Sequence, residues 1–209
     1  MKSRPGGVLS KRGAELTSTE RAALDGNPMA LRAIVRQAIG ANTLDLRATV
    51  DAPSARMAAN GSGGDRLVFD GTFTALDHPF DMQDWLGPYT EIMRAGSLNR
   101  TLAGAPDIQF VLNHDWEAAP MARTVAGSLD VMPDGTCQAR IDGSRADVAI
   151  VASAIEGGEL NAMSCAFWVT QQTWSPDYEQ RDILEVDMDG GDVSVVTFPA
   201  NPGTTGTIG

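Results

Sequence analysis

Residues 160–169 read LNAMSCAFWV, an apolar run of strand length with one small hydroxyl residue, Ser164, in its middle. A buried hydroxyl needs a hydrogen-bond partner. The best one on offer is His114, one of only two histidines in 209 residues, in a second apolar run that ends abruptly in polar residues, FVLNHDW (110–116). A neutral imidazole beside a serine is the minimum apparatus for acyl transfer, because it takes the hydroxyl proton as the oxygen attacks a carbonyl. Taken alone, Ser164 reads first as a small core residue bonded to backbone, and His114 reads equally as a core histidine satisfied the same way. The pair together carries the reactive reading.

On the amino-terminal side of this stretch lies DVAIVASAIEGG (147–158), in which Val148, Val151, Ala152 and Ile155 line one helical face and Gly157 with Gly158 stop the helix. On the other side, residues 174–180 form a polar loop with a proline, RDILEVDMD (181–189) alternates like a strand, and Gly190 with Gly191 turns the chain into DVSVVTFPANP (192–202). Further back, DIQFVLNHDW (107–116) is apolar on both sides, a strand buried on both faces that delivers Asn113, His114 and Asp115 at its end. Residues 123–131 and 136–141 flank Pro133, Asp134 and Gly135, a hairpin signature. SLNRTLAG (97–104) reads as a helix capped by Ser97 and closed by Gly104, and residues 89–93 as a short strand. In RLVFDGTFTALD (66–77), Gly71 suggests a bulge or bend between strand segments. Residues 43–50 alternate with period two, and residues 51–64, rich in Gly, Ser and Ala, read as a loop. His78 falls in a polar loop and reads as a surface residue.

Near the start, residues 1–12 are basic and glycine-bearing and read as a mobile arm. Short helices follow, one capped by Ser18 and Thr19, the next begun at Pro28 and carrying Leu31, Ile34, Val35 and Ala38 before Gly40. Many short strands and few helices predict an α+β fold, a mostly antiparallel barrel with surrounding helices. The expected division is an arm with short helices over 1–40, a barrel domain over 41–203 and a tail over 204–209.

With 27 acidic against 16 basic residues, the net charge of -11 repels phosphate backbones and argues against nucleic acid as a partner. No stretch approaches the roughly 20 apolar residues that cross a bilayer, and MKSRPGGVLSKRG lacks the apolar middle of a signal peptide, so no membrane partner and a cytoplasmic location are expected. Cys137 and Cys165 do not share a metal-type spacing with the histidines. Reduced thiols, no metal and no cofactor are the expectation.

Four stretches together resemble the prohead maturation proteases of tailed phages: LNHDW, the run RTVAGSL (123–129), the helix followed by GGELNAMSCAF (157–167), and GDVSVVTFPANP (191–202). Their order and spacing match over residues 44–202. The resemblance implies a fold like that of the herpesvirus assembly proteases and a serine endopeptidase packaged in the procapsid in the host cytoplasm. Such an enzyme cuts scaffold or the major capsid protein precursor, and commonly itself. In the family's pattern the catalytic histidine matches His114 and the serine matches Ser164. The herpesvirus relatives carry a second histidine after the serine, whereas this chain has none after His114.

Asp192, where the family often carries an acid before V-S, is therefore the candidate third residue. Asp115 and Glu185 are its rivals, and a dyad is the remaining alternative. By analogy with the herpesvirus enzymes, backbone amides of Ala200 and Asn201 in FPANPG are candidates for the oxyanion hole, with Gly203 as a further donor. The herpesvirus relatives are activated by dimerisation, so a homodimer through residues 145–155 or the amino-terminal helices stays open. A barrel that lost catalysis and serves as an internal scaffold or binding protein is the alternative function. An unrelated esterase or amidase is disfavoured by the lack of a G-x-S-x-G elbow.

Overall fold

A computed structural model describes residues 66–84 and 86–197, the segments 44–49 and 54–57, and Met29, Arg32, Ala33 and Arg36, which are helical. In chain order the strands are β1 (Leu44–Thr49), β2 (Ser54–Met57), β3 (Arg66–Thr72), β4 (Pro79–Asp84), β5 (Gly87–Met93), β6 (Gln109–Leu112), β7 (Ala122–Arg123), β8 (Leu129–Val131), β9 (Thr136–Asp142), β10 (Ala162–Trp174) and β11 (Gln180–Val196). Helix α1 (Asn99–Ala103) lies between β5 and β6, and α2 (Ala146–Gly157) between β9 and β10. The fold is mixed α+β and mostly strands. Among the described residues no helix is long and apolar enough to cross a membrane.

The backbone of the molecule is the antiparallel pair β10–β11, which carries β1 on the outer side of β10. β11 changes neighbours along its length. Its start, Gln180 to Ile183, runs parallel to β5, which pairs with β4; its end, Asp192 to Val195, runs parallel to β6, which pairs with β7. The burial pattern follows this exchange. The first half of β11 alternates between buried and more open positions, whereas every residue from Gly191 to Val196 is buried, as are Ala162 to Phe167 on β10 and Gln109 to Val111 on β6. Strands covered on both faces read as continuous apolar runs, which is why the stretch around Ser164 lacks alternation.

A second sheet, in the order β2-β3-β9-β8, lies against the first. Phe69 of β3 meets Phe110 of β6 with ring centroids 4.7 Å apart, and Leu67, Phe73, Ala139 and Ile141 share one core with Phe167, Val193 and Val195. The hydrogen-bonded ladders of the described residues end in open edges rather than closing on themselves, so the expected barrel is replaced by two sheets. Strand count and alternation carry no information on closure, which depends on tilt and register between strands distant in sequence.

Several local expectations also change. Gly190 and Gly191 do not turn the chain between two strands. β11 runs through them as one strand with an excursion, since Ala166 pairs with Asp192 while Trp168 pairs with Asp187. Gly190 has φ +80°, and a Cβ on Gly191 would lie 2.2 Å from the Ala166 carbonyl oxygen, so both positions need glycine. Gly71 makes no bulge: β3 pairs regularly with β9 through it, and the missing side chain makes room for Met163. Within residues 51–64, read as loop, Ser54–Met57 forms β2. The 123–131 half of the expected hairpin is β7, a short 3-10 turn and β8, and β8 pairs with β9 as expected. α1 and α2 match their expected segments, with Leu98 rather than Ser97 at the α1 amino end and Gly158 closing α2. His78 is exposed. The expected arm, the residues at Ser18 and Thr19, and the tail over 204–209 lie outside the described residues.

Candidate active site

Ser164 and Asp192 are brought together by register. Ser164 pairs with Ser194, and Asp192 precedes Ser194 by two, so all three side chains leave the same face of the β10–β11 ladder. β6 pairs with the same part of β11, Val111 opposite Ser194 and Leu112 opposite Val195. Beyond Leu112 the strand ends in two consecutive left-handed residues, Asn113 (φ 50°) and His114 (φ 56°), which turn the chain back over that face. Such a pair costs free energy outside glycine. Local hydrogen bonds offset it: Asn113 N–H donates to Val195 O at 2.9 Å, Thr197 N–H donates to Asn113 Oδ1 at 2.9 Å, Asp115 N–H donates to Leu112 O at 3.0 Å and His114 N–H donates to Ser194 Oγ at 3.2 Å.

The imidazole then bridges serine and aspartate. Ser164 Oγ lies 2.7 Å from His114 Nε2, and His114 Nδ1 lies 2.8 Å from Asp192 Oδ1 and 3.1 Å from Oδ2. With Asp192 ionised, Nδ1 carries the proton and donates it to the carboxylate, which leaves the Nε2 lone pair facing the serine hydroxyl. Ser164 and Asp192 are fully buried, while the histidine side chain keeps 16% exposure. The carboxylate is further held by Ser194 Oγ, which donates to Oδ1 at 2.7 Å, and by the Trp116 indole N–H, which donates to Oδ2. A buried carboxylate is tolerated where donors surround it.

The two rivals of Asp192 are engaged elsewhere. Asp115 Oδ1 accepts from the N–H groups of Glu117 and Ala118 at 3.0 and 3.2 Å, closing its own turn. Glu185 accepts from Arg100 Nη1 at 2.5 Å and from Thr170 Oγ1 at 2.8 Å. Cys165, next to Ser164, points into the core with Phe167, Val193 and Val195. Burial, with the nearby Asp70 charge, pushes the Cys137 thiol up to about 12. Among the described residues no three His, Cys, Asp or Glu side chains come together as a metal site. Ala200, Asn201 and Gly203 lie outside the described residues.

The run 123–129 serves as a brace rather than a reacting group. Arg123 Nε donates to Asp107 Oδ1 at 2.7 Å, Thr124 Oγ1 donates to Pro106 O at 2.6 Å and accepts from Ile108 N–H at 2.9 Å, which fixes the entry to β6. Asp107 is tied in turn to the β11 excursion, its carbonyl accepting from Gly190 N–H at 2.9 Å.

Residues 64–208 match the family model described as caudovirus prohead serine protease. The chain belongs to this family. Membership implies a serine protease with a role in phage prohead maturation and an interaction with capsid precursor proteins. No curated protein matches the chain, and no solved structure does. The span shared with the prohead serine proteases includes Ser164, His114 and Asp192, and excludes β1, β2 and Arg36. Sequence reading missed Ser194 and Trp116, although both sit in the quoted motifs: Trp116 ends LNHDW and Ser194 follows Asp192 by two.

Proposed function

We propose that this protein is a serine endopeptidase that cleaves scaffold or major capsid protein precursor segments, and itself, inside the assembling procapsid. The observation that carries the reading is the continuous chain of hydrogen bonds from Ser164 Oγ through His114 to Asp192, with links of 2.7 and 2.8 Å. His114 Nε2 accepts the Ser164 proton as Oγ bonds to the peptide carbonyl carbon. The C–N bond then breaks, and Nε2 returns that proton to the leaving amine. Water, deprotonated by the same nitrogen, resolves the acyl-enzyme and restores the hydroxyl. Asp192 holds the imidazole tautomer and steadies the imidazolium. Ser194 and Trp116 hold Asp192.

Backbone amides of Ala200 and Asn201 remain our candidates for the oxyanion hole. The exposed face of α2, where Ile150 is 71% exposed, is the surface for the homodimer that the herpesvirus-like reading includes. The overall charge of -11 supports a protein rather than a nucleic-acid partner.

The test is incubation of the wild-type chain and Ser164→Ala with the cognate capsid precursor, followed by intact-mass analysis. Discrete fragments from the wild type alone are expected. Equal cutting by both rejects Ser164 as the nucleophile. Cutting by neither, with assembled procapsids present, returns the protein to the scaffold or binding role.

A further inference from the structure

Arg36 precedes the span shared with the family, yet its side chain is fully buried. Its guanidinium is met on its edges by acceptors and on its face by rings. Nε and Nη2 donate to Asp84 Oδ2 and Oδ1 at 3.1 and 3.3 Å, Nη2 also faces the carbonyls of Gly87 at 3.1 Å and Pro88 at 3.2 Å, and Nη1 donates to the Tyr178 carbonyl. The central carbon lies 4.9 Å from the Tyr89 ring centroid and 5.8 Å from that of Trp174.

The acceptors come from the turn between β4 and β5 and the turn between β10 and β11, both inside the family span. Asp84 is set in place independently, since Leu86 N–H donates to its Oδ1 at 2.8 Å. Trp174 Nε1 is buried with no hydrogen-bond partner among the described residues, so ring contacts with Tyr89, Tyr178 and the guanidinium orient that indole. Three carbonyls and one carboxylate converging under two rings match a planar fork with a single positive charge. A lysine ammonium lacks the fork geometry and the flat face.

We propose that these two turns form a guanidinium-binding socket, occupied by the chain's own Arg36, and that the socket accepts a peptide carrying that arginine in trans when Arg36 is removed from the chain. Trp174 is ten residues along β10 from Ser164, so the socket is separate from the Ser164 site and does not depend on the protease reading.

The test uses full-length Arg36→Ala and a fluorescein-labelled peptide of residues 29–40, MALRAIVRQAIG, followed by fluorescence anisotropy. The variant is expected to bind the peptide saturably, and wild type at least about tenfold more weakly because its socket is filled. A peptide carrying Arg36→Lys should bind the variant at least about tenfold more weakly, the scale of losing one charge-assisted hydrogen bond. Equal binding by wild type and variant, equal binding of the two peptides, or no saturable binding up to about 1 mM each overturns the proposal. Arg36→Gln replaces Arg36→Ala if circular dichroism shows that the latter does not fold. Precursor cleavage by either variant should remain at the wild-type rate, a readout that separates failure of the socket from failure of the protease reading.

Discussion

Asp192 accepts from three side chains, and substitutions there should separate tautomer control from carboxylate positioning. Asp192→Asn keeps the size but favours the wrong imidazole tautomer, so kcat for precursor cleavage should fall by about 10⁴-fold. Ser194→Ala removes one donor to the carboxylate and the acceptor for His114 N–H, and should lower kcat by about 10- to 100-fold with KM unchanged. An unchanged kcat in Ser194→Ala would show that the hydroxyl only fills space. The Ser164 and His114 pairing was legible in sequence because a lone hydroxyl in an apolar run and a histidine at a strand end both demand partners. Asp192 needed the motif frame as well, since an acid at a strand start is usually solvated. Ser194 and Trp116 were hidden for a different reason: nothing in their spacing from His114 reveals that a two-residue left-handed turn folds the histidine back over β11.

At the level of elements, the β11 excursion is the feature most exposed to test. Gly191→Ala places a methyl 2.2 Å from a backbone oxygen of β10, which cannot move without breaking the ladder. The cost should be about 3 kcal/mol or more, read as a lower midpoint in denaturant unfolding. A change under about 1 kcal/mol would mean that the strand relaxes there. The β8–β9 hairpin makes a pH prediction. Hydrogen bonds from Thr136 hold the Asp134 carboxyl below its ordinary range, and Arg140 does the same to Asp130. Their folded-state values lie below the unfolded ones, so their contribution is fully present above about pH 4 and is lost as pH falls through the lowered values. Unfolding midpoints should therefore hold steady at mildly acidic pH and drop below about pH 4. This hairpin was readable from Pro133, Asp134 and Gly135. The Gly190-Gly191 pair was misread because glycine marks a turn and a close approach alike, and only the neighbouring strand distinguishes them.

For the molecule as a whole, the end of the β10–β11 ladder away from Ser164 is joined by buried charge. Arg181 is fully buried and donates to Glu91 Oε2 at 2.7 Å and to Gln172 Oε1 at 2.7 Å, with Asp45 Oδ2 at 3.4 Å, linking β11, β5, β10 and β1. Removing one partner of a buried pair costs about 3–5 kcal/mol. Arg181→Ala should destabilise by that amount in chemical unfolding, and adding Glu91→Gln should recover part of it. A double variant as unstable as the sum of the single ones would mean the two charges are not coupled. The two-sheet architecture was the least legible part, because the sequence shows which segments are strands but not where a sheet stops. The excursion at residues 188–191 acts on β11 as an expansion joint does on a rail. Four residues there face a single one on β10, so the phase of the half that pairs with β5 is not transmitted to the half that carries Asp192 and Ser194. A length change of one residue among 188–191 leaves the spacing between Asp192 and Ser194 unaltered. The same change between Asp192 and Ser194 would send one of the two side chains to the opposite face of the sheet.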